Sequence, residues 1–203
     1  MMGLLPVAPM LQNVVFLDRD GVINRDFPDY IKSWDEFEFL PGSIDAIADL
    51  TRNGRPVFII SNQSAVGRRL IPRAELDRIF SNMCGIIESR GGRITDIFYC
   101  PHRPEDNCDC RKPEPGLIFQ AREKYDIELA TAVMVGDSLR DIACARNAGC
   151  GCAVLVESGY EKIDPETLRH AGTAPDHIAP DLRHAVDWLL RHPTPISASH
   201  DNP

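Results

Sequence analysis

Asp18-Arg19-Asp20-Gly21 places two carboxylates two residues apart, directly after the apolar run Val14-Val15-Phe16-Leu17. Asp and Gly are common in turns, so these four residues alone could be no more than a solvated bend. Their chemistry is nonetheless specific. One carboxylate can attack phosphorus and become an acyl phosphate while the other gives a proton to the leaving oxygen. Two anions facing an anionic phosphate need a divalent cation, and oxygen-only ligands favour Mg²⁺. Residues of the complementary types follow further along the chain. Ser61-Asn62-Gln63-Ser64 offers hydroxyls and backbone N–H groups to phosphoryl oxygens, and Arg111-Lys112-Pro113 offers fixed positive charge to the equatorial oxygens of a transition state. Gly136-Asp137-Ser138, with Asp141 four residues after Asp137, adds carboxylate for a metal. Taken singly, Ser61 could be a helix cap, Lys112 a surface charge and Asp137 a turn residue. Four suitable groups at the ends of four apolar runs point together to phosphoryl transfer.

A second constellation has different donors. Cys100-Pro101-His102, then Cys108-Asp109-Cys110, brings three thiols and one imidazole into eleven residues. That set matches a closed tetrahedral Zn²⁺ site of Cys₃His type, which leaves no open position and is therefore structural. Unconnected buried thiols are the bland alternative, but a proline-rich loop has little helix or strand to bury them. Cys110 abuts Arg111-Lys112, so the metal would pin the loop that presents those cations. Cys144, Cys150 and Cys152 read as core thiols, and His170, His177, His184 and His192 as surface residues.

These groups need a frame that delivers them to one place. Short apolar runs at Val14–Leu17, Val57–Ile60, Ile94–Tyr99, Ala132–Val135 and Cys152–Val156 suit strands buried on both faces. Helical periodicity lies between them: from Ser43, expected as the cap, to near Asn53-Gly54, then 72–90, 115–125 and 138–148. Alternating strands and helices predict an α/β, three-layer Rossmann-like domain with a mainly parallel sheet and right-handed crossovers. Ligands bind such sheets at the strands' carboxyl ends, where Asp18, Ser61, Cys100 and Asp137 all fall. Asp26–Leu40 is irregular and too short for a separate cap domain. The expected organisation is an extension over 1–13, a domain over 14–191 with its metal loop at 100–113, and a flexible tail over 192–203.

Composition narrows the partners. The chain's 203 residues suit one domain, and with 43% hydrophobic and 26% charged residues it is of ordinary globular type, which excludes a fibrous or largely disordered chain. Its net charge of −8 argues against nucleic acid or an anionic membrane as partner. No apolar run reaches the roughly 18 residues of a membrane helix. Residues 1–13 lack a basic region and a cleavage site, so a secretory leader is not expected. Seven cysteines, an odd number with three clustered, suit a reducing compartment rather than a disulfide framework. The expectation is a cytoplasmic monomer acting on a small molecule.

DRDGVIN at 18–24, SNQS at 61–64, RKP at 111–113 and GDSLRD at 136–141 together resemble the haloacid dehalogenase (HAD) phosphatases, over about Val14–Val156. The resemblance implies Asp18 as nucleophile and Mg²⁺ ligand, and Asp20 as general acid and base that also binds Mg²⁺ through its carbonyl. It implies Ser61 and Lys112 as holders of the phosphoryl group and Asp137 as the remaining Mg²⁺ ligand, with Asp141 orienting its neighbours. CPHRPEDNCDCRKP is similar to the family's zinc-loop branch, whose members act on D-glycero-D-manno-heptose 1,7-bisphosphate or on histidinol phosphate. Asn24 and Ser64 favour the heptose substrate and so a role in nucleotide-activated heptose and lipopolysaccharide-type glycan synthesis; histidinol phosphate is the alternative substrate, and a non-catalytic phosphosugar-binding protein a further one. In this reading Asp26 to Tyr30 forms a substrate loop, one residue longer than the branch's usual one. Asn62, Gln63, Ser64 and Ser138 contact substrate, and Arg111 meets its second phosphate or a sugar hydroxyl, assisted by Arg68 or Arg69.

Overall fold

A computed structural model describes residues 10–160 and 174–192. Six strands form one parallel sheet in the order β3-β2-β1-β4-β5-β6: β1 Val15–Leu17, β2 Val57–Asn62, β3 Asp96–Cys100, β4 Val133–Gly136, β5 Cys152–Val156 and β6 His177–Ala179. The helices are α1 Ser43–Arg52, α2 Ser64–Gly67, α3 Arg73–Ser89, α4 Gly116–Tyr125, α5 Leu139–Ala148 and α6 Leu182–Arg191.

The two-residue period of the strands sorts their side chains into two cores. Val15, Leu17, Val57, Ile59, Val133 and Val135 face one side, where Ile47 and Leu50 of α1, Leu76 and Met83 of α3 and Leu182, Val186 and Leu189 of α6 cover them. Phe16, Phe58, Ile60 and Met134 face the other, against Leu117 and Ile118 of α4 and Ile142 and Ala145 of α5. Both faces are covered, which is why the strands read as continuous apolar runs rather than alternating ones. β1 is central and changes neighbours from β2 to β4, so the chain runs in opposite directions across the sheet on either side of it. A crevice opens above that point.

The sequence reading needs four adjustments. β2 continues through Ser61 and Asn62, because their backbones pair with Tyr99 and Cys100 of β3. The cap of α1 is Gly42 at φ 76°, with Ser43 the first helical residue. β6 and α6 were not anticipated: β6 is only three residues at the sheet's edge, whereas Asp181 accepting from the His184 N–H at 2.9 Å is an ordinary cap signal that precedes α6. Before β1, Leu11 already pairs with the segment leading into β4, donating to the Asp126 carbonyl at 2.8 Å and accepting from Glu128 at 3.0 Å. Residues 1–9, His170 and nearly all of the expected tail lie outside the described residues.

Candidate active site

β1 ends at Leu17, and the next residue, Asp18, sits at the floor of a cavity of about 420 Å³ above the β1/β4 crevice. Lys112 is buried and its ammonium is fully occupied. It lies 2.7 Å from Asp18 Oδ2 and 2.6 Å from Asp141 Oδ1, and donates to the Ile60 carbonyl at 2.8 Å. Although burial opposes the charge, Asp141 and Asp18 hold the lysine above its ordinary pKa. The loop is locked from its backbone as well. The Asn62 side chain accepts from the Lys112 N–H at 3.1 Å and donates to the Lys112 carbonyl at 3.2 Å.

Asp18, Asp137 and Asp141 bring one oxygen each within 4.8 Å of one another. Burial, reinforced by Asp141 and partly offset by Lys112, pushes Asp18 up to about 6. Burial, then Asp141 and Asp18, pushes Asp137 up to about 9. Carboxylates crowded to this degree must hold protons or share a cation. With oxygen the only donor type, the set fits Mg²⁺. Asp141 is tied up elsewhere: its Oδ2 accepts from the Ser138 hydroxyl at 2.6 Å and the Ser138 N–H at 3.0 Å, forming the N-terminal box of α5, while Lys112 takes its Oδ1. Asp18 and Asp137 border the cavity without that restraint. Close packing sets the position of Asp137, because a Cβ on Gly21 or Gly159 would collide with its carboxylate. Gly21 also has φ 75°, which favours glycine.

The Asp20 carboxylate faces other partners. The Arg19 guanidinium donates to it through Nη2 at 2.7 and 2.8 Å and through Nε at 3.1 Å, while Asn24 and Gln63 each donate at 2.9 Å. Against the upward push of burial, Arg19 first and then these hydrogen bonds hold Asp20 below the usual carboxylate range. Arg19 is 1% exposed and packs over the Phe80 ring with its Cζ 5.6 Å from the centroid.

Of the site residues singled out from the sequence for chemistry or substrate contact, all border this cavity except Ser61 and the two assisting arginines, Arg68 and Arg69. Asp26, Tyr30, Gln63, Ser64, Arg111 and Ser138 join Asp18, Asp20, Asn62, Lys112 and Asp137 in its lining. Ser61 is buried behind it, its Oγ accepting from Gln63 Nε2 at 2.9 Å. Tyr30 adopts φ 63°, and its hydroxyl lies 3.4 Å from Ser64 Oγ. Arg68 and Arg69 do not border the cavity; Arg68 lies 4.0 Å from Glu105 instead. Sequence reasoning passed over Arg19, Arg140 and Tyr160, which do border it. Arg19 stood between the two carboxylates, and Arg140 stood inside the GDSLRD run. Tyr160 lies just past the carboxyl end of β5, where ligand sites gather.

The second cluster assembles as its spacing implied. Cys110 Sγ is 3.2 Å from Cys100 Sγ and 3.5 Å from Cys108 Sγ, and His102 Nδ1 lies 3.3 Å from Cys110 Sγ and 3.5 Å from Cys100 Sγ. A tetrahedral site with Zn–S of about 2.3 Å has S···S edges of about 3.7 Å, so these donors fit Zn²⁺ after slight expansion. Against the upward push of burial, hydrogen bonds from Cys110 and Cys100 bring the Cys108 thiol down to about 7, whereas burial pushes Cys110 well up. Cys144, Cys150 and Cys152 are buried in the core, His184 and His192 are exposed, and half-buried His177 stacks on Trp188 with ring centroids 4.3 Å apart.

A parallel sheet of this order, with paired carboxylates after its central strand and a lysine and further carboxylates at neighbouring strand ends, defines a hydrolase of the haloacid-dehalogenase type. The HAD-hydrolase-like family model matches residues 109–185. The D-glycero-β-D-manno-heptose-1,7-bisphosphate 7-phosphatase of Bordetella bronchiseptica is 40% identical over 179 residues, which is 88% of this chain and 98% of that one. The enzyme of the same name from Pseudomonas aeruginosa is 43% identical over 150 residues, 74% of this chain and 84% of that one. The crystal structure of the B. bronchiseptica D,D-heptose 1,7-bisphosphate phosphatase, complexed with magnesium and phosphate, matches with a TM-score of 0.80 over 88% of this chain and 98% of that one. The chain belongs to the HAD-like hydrolases and, within them, to the family of these heptose-bisphosphate phosphatases. Among the described residues no helix is long and apolar enough to cross a membrane.

Proposed function

We propose that this chain is a Mg²⁺-dependent phosphatase that removes the C7 phosphate of D-glycero-D-manno-heptose 1,7-bisphosphate through a phosphoaspartate on Asp18. The observation that carries the reading is the division of labour between two carboxylates two residues apart. Asp18 is placed beside Lys112 and Asp137, at the cavity floor. Asp20 is held to one side by Arg19, Asn24 and Gln63.

Asp18 and Asp137, with the Asp20 carbonyl, would hold Mg²⁺, which when bound neutralises charge on the phosphoryl oxygens and on the carboxylates facing them. Asp18 attacks phosphorus, and the Lys112 ammonium stabilises charge on the transferring group together with the Ser61 hydroxyl. Asp20, held ionised by Arg19, Asn24 and Gln63 before substrate binds, takes up a proton as the anionic phosphate arrives, gives it to the departing sugar oxygen, and then takes one from the water that attacks the acyl phosphate. Arg19 restrains the carboxylate in the position both steps require. Arg111 meets the distal phosphate, while Asp26, Tyr30 and Ser64 meet the sugar. Cys100, His102, Cys108 and Cys110 would hold Zn²⁺, which would fix the backbone just before Arg111 and Lys112.

All seven cysteines are unpaired, which supports a reducing, cytoplasmic setting and the early, soluble part of activated-heptose synthesis. Phosphate release with Mg²⁺ from both heptose bisphosphate anomers and from histidinol phosphate tests the reading. A preference of about a hundredfold in kcat/KM for a heptose anomer, near 2.7 kcal/mol, is the expected result. The same preference for histidinol phosphate would leave the catalytic assignments standing and overturn the substrate.

A further inference from the structure

A second cavity of about 480 Å³ adjoins the first. The residues common to the two linings are Arg111, Lys112 and Arg140, so a ridge of three cations separates them. The Lys112 ammonium faces Asp18, Asp141 and the Ile60 carbonyl, so its three donors are taken and it acts in the first cavity through its charge. Arg111 makes one weak contact, donating to the His102 carbonyl at 3.3 Å. Arg140 is exposed and makes no hydrogen bond or ion pair among the described residues.

That arrangement is unfavourable in the absence of an anion. Arg111 and Arg140 bring two like charges to the lining of the same two cavities. Arg140 also lies in the first turn of α5, where the helix's partial positive charge disfavours a cation. Carboxylates line the same cavities without pairing with either arginine among the described residues: Asp141 is directed to Ser138 and Lys112, Asp137 packs on Gly21 and Gly159, and Asp109 and Glu114 of the second cavity form no ion pair with Arg111 or Arg140. A chain of net charge −8 has acidic groups enough to pair its arginines, yet these two stand together at the cavity edge. A phosphate dianion resolves the conflict, because planar guanidinium forks each offer it two parallel N–H donors.

We infer that Arg140 is a specificity residue that, with Arg111, clamps the distal phosphate of a bisphosphate substrate on the ridge between the two cavities. The inference rests on the proposed bisphosphate reaction. It adds to it a second, independent cation contributed by the helix after β4 rather than by the metal loop. The proximal phosphate is held at Asp18 and Lys112, so Arg140 acts on the choice of substrate and not on the chemistry.

The test uses full-length, metal-loaded protein and two variants, Arg140→Ala and Arg140→Lys. The ratio of kcat/KM for heptose 1,7-bisphosphate to that for heptose 7-phosphate falls about 10- to 100-fold in Arg140→Ala, mainly through KM. Arg140→Lys restores part of that loss, since charge remains but the fork does not. Equal ratios in wild type and Arg140→Ala would overturn the inference while leaving the proposed function intact. Calorimetry in an Asp18→Asn background gives an arm that needs no turnover, comparing fructose 1,6-bisphosphate with fructose 6-phosphate. Tighter binding of the bisphosphate, lost when Arg140→Ala is added, supports the clamp even if heptose bisphosphate proves a poor substrate, which would overturn the proposed function alone. No preference for the bisphosphate, or a preference unchanged by Arg140→Ala, overturns the clamp. Arg140 is exposed and its side chain makes no hydrogen bond or ion pair among the described residues, so melting temperatures within about 2 °C of wild type should accompany each variant.

Discussion

The oxygen cluster of Asp18, Asp137 and Asp141 and the sulfur–imidazole cluster of Cys100, His102, Cys108 and Cys110 meet where Cys110 leads into Arg111 and Lys112. The first gathers its members from the ends of β1 and β4 and the first turn of α5, across most of the chain, and opens onto a cavity. The second takes all four from one short loop and closes on itself. Hard donors with an open face suit a cation that must meet substrate, and soft donors in a closed tetrahedron suit one that only holds backbone in place. One cluster is arranged for chemistry and the other for architecture, and Lys112 is the point at which the second serves the first.

Replacing Asp18 with asparagine tests the chemical half most severely. Turnover with Mg²⁺ should fall by at least about 10⁴-fold, because the attacking oxygen is gone. The fold should persist, and the melting temperature should not drop, since burial and Asp141 already disfavour the Asp18 charge. Residual activity within a factor of ten would refute the assignment.

The architectural half is broken by Cys108→Ser. Zinc content measured by elemental analysis should drop well below one per chain. Stability should fall by at least about 3 kcal/mol, or about 6–12 °C in Tm. Activity lost with the metal should return on adding Zn²⁺ to chelated wild type and not on adding Mg²⁺ alone. A zinc-free protein of undiminished stability and activity would remove the distinction between the two clusters.

Acidity separates them more gently. Asp137 has its folded value raised to about 9 by burial and by Asp141 and Asp18, against an ordinary value near 4. The folded state therefore binds more protons than the unfolded one between those values, so metal-free stability falls as pH rises through that window. Thermal melts without Mg²⁺ should show a lower Tm at pH 8 than at pH 5, and Mg²⁺ should raise Tm more at pH 8. Asp137→Asn should remove most of that slope. A slope identical in the variant would show that the strain resides elsewhere.

Much of this contrast could be read from the residue order, and the unread parts have physical causes. Five strands were marked by continuous apolar runs because both faces of the sheet are covered. β6 was invisible because three residues at an edge carry too little pattern. The metal loop is local, so its spacing alone indicated its donors. The oxygen site is not local. The residue types that border it were legible, but Asn62's grip on the Lys112 backbone and Arg19's on Asp20 depend on which atoms the fold brings within 3 Å. Arg140 escaped notice because a lone arginine in a helix's first turn resembles any surface charge until two cavities are seen to share it.

The smallest expected effect lies outside both clusters. Asp96 joins β3 to the end of α4, accepting from Lys124 Nζ at 2.8 Å and the Tyr125 hydroxyl at 3.0 Å. Against the upward push of partial burial, these contacts and the Ile97 N–H hold it below the usual carboxylate range. Its contribution is full above the ordinary carboxylate pKa and is lost as pH falls through the lowered folded value, opposite in sign to Asp137. Asp96→Asn should cost no more than about 1 kcal/mol at pH 7 by urea denaturation, and less at pH 3. A larger loss would mean that this tie, and not the zinc loop, secures that side of the sheet.

The strand order has a consequence for how the protein is made. β1 leaves the ribosome first yet ends in the middle of the sheet, and its second neighbour, β4, follows only after most of the chain has been translated. At about 5–20 residues per second, that leaves one edge of an almost wholly apolar strand unpaired for of the order of ten seconds. Until β4 arrives Asp18 lacks Asp137, so the nascent chain carries the proposed nucleophile without all of the groups that surround it in the folded protein. Catalytic competence is thus gained late and in one step, when β4 docks against the first strand. Stalled or prematurely terminated chains should be both inert and prone to aggregate, a combination that favours their removal before they can do chemistry.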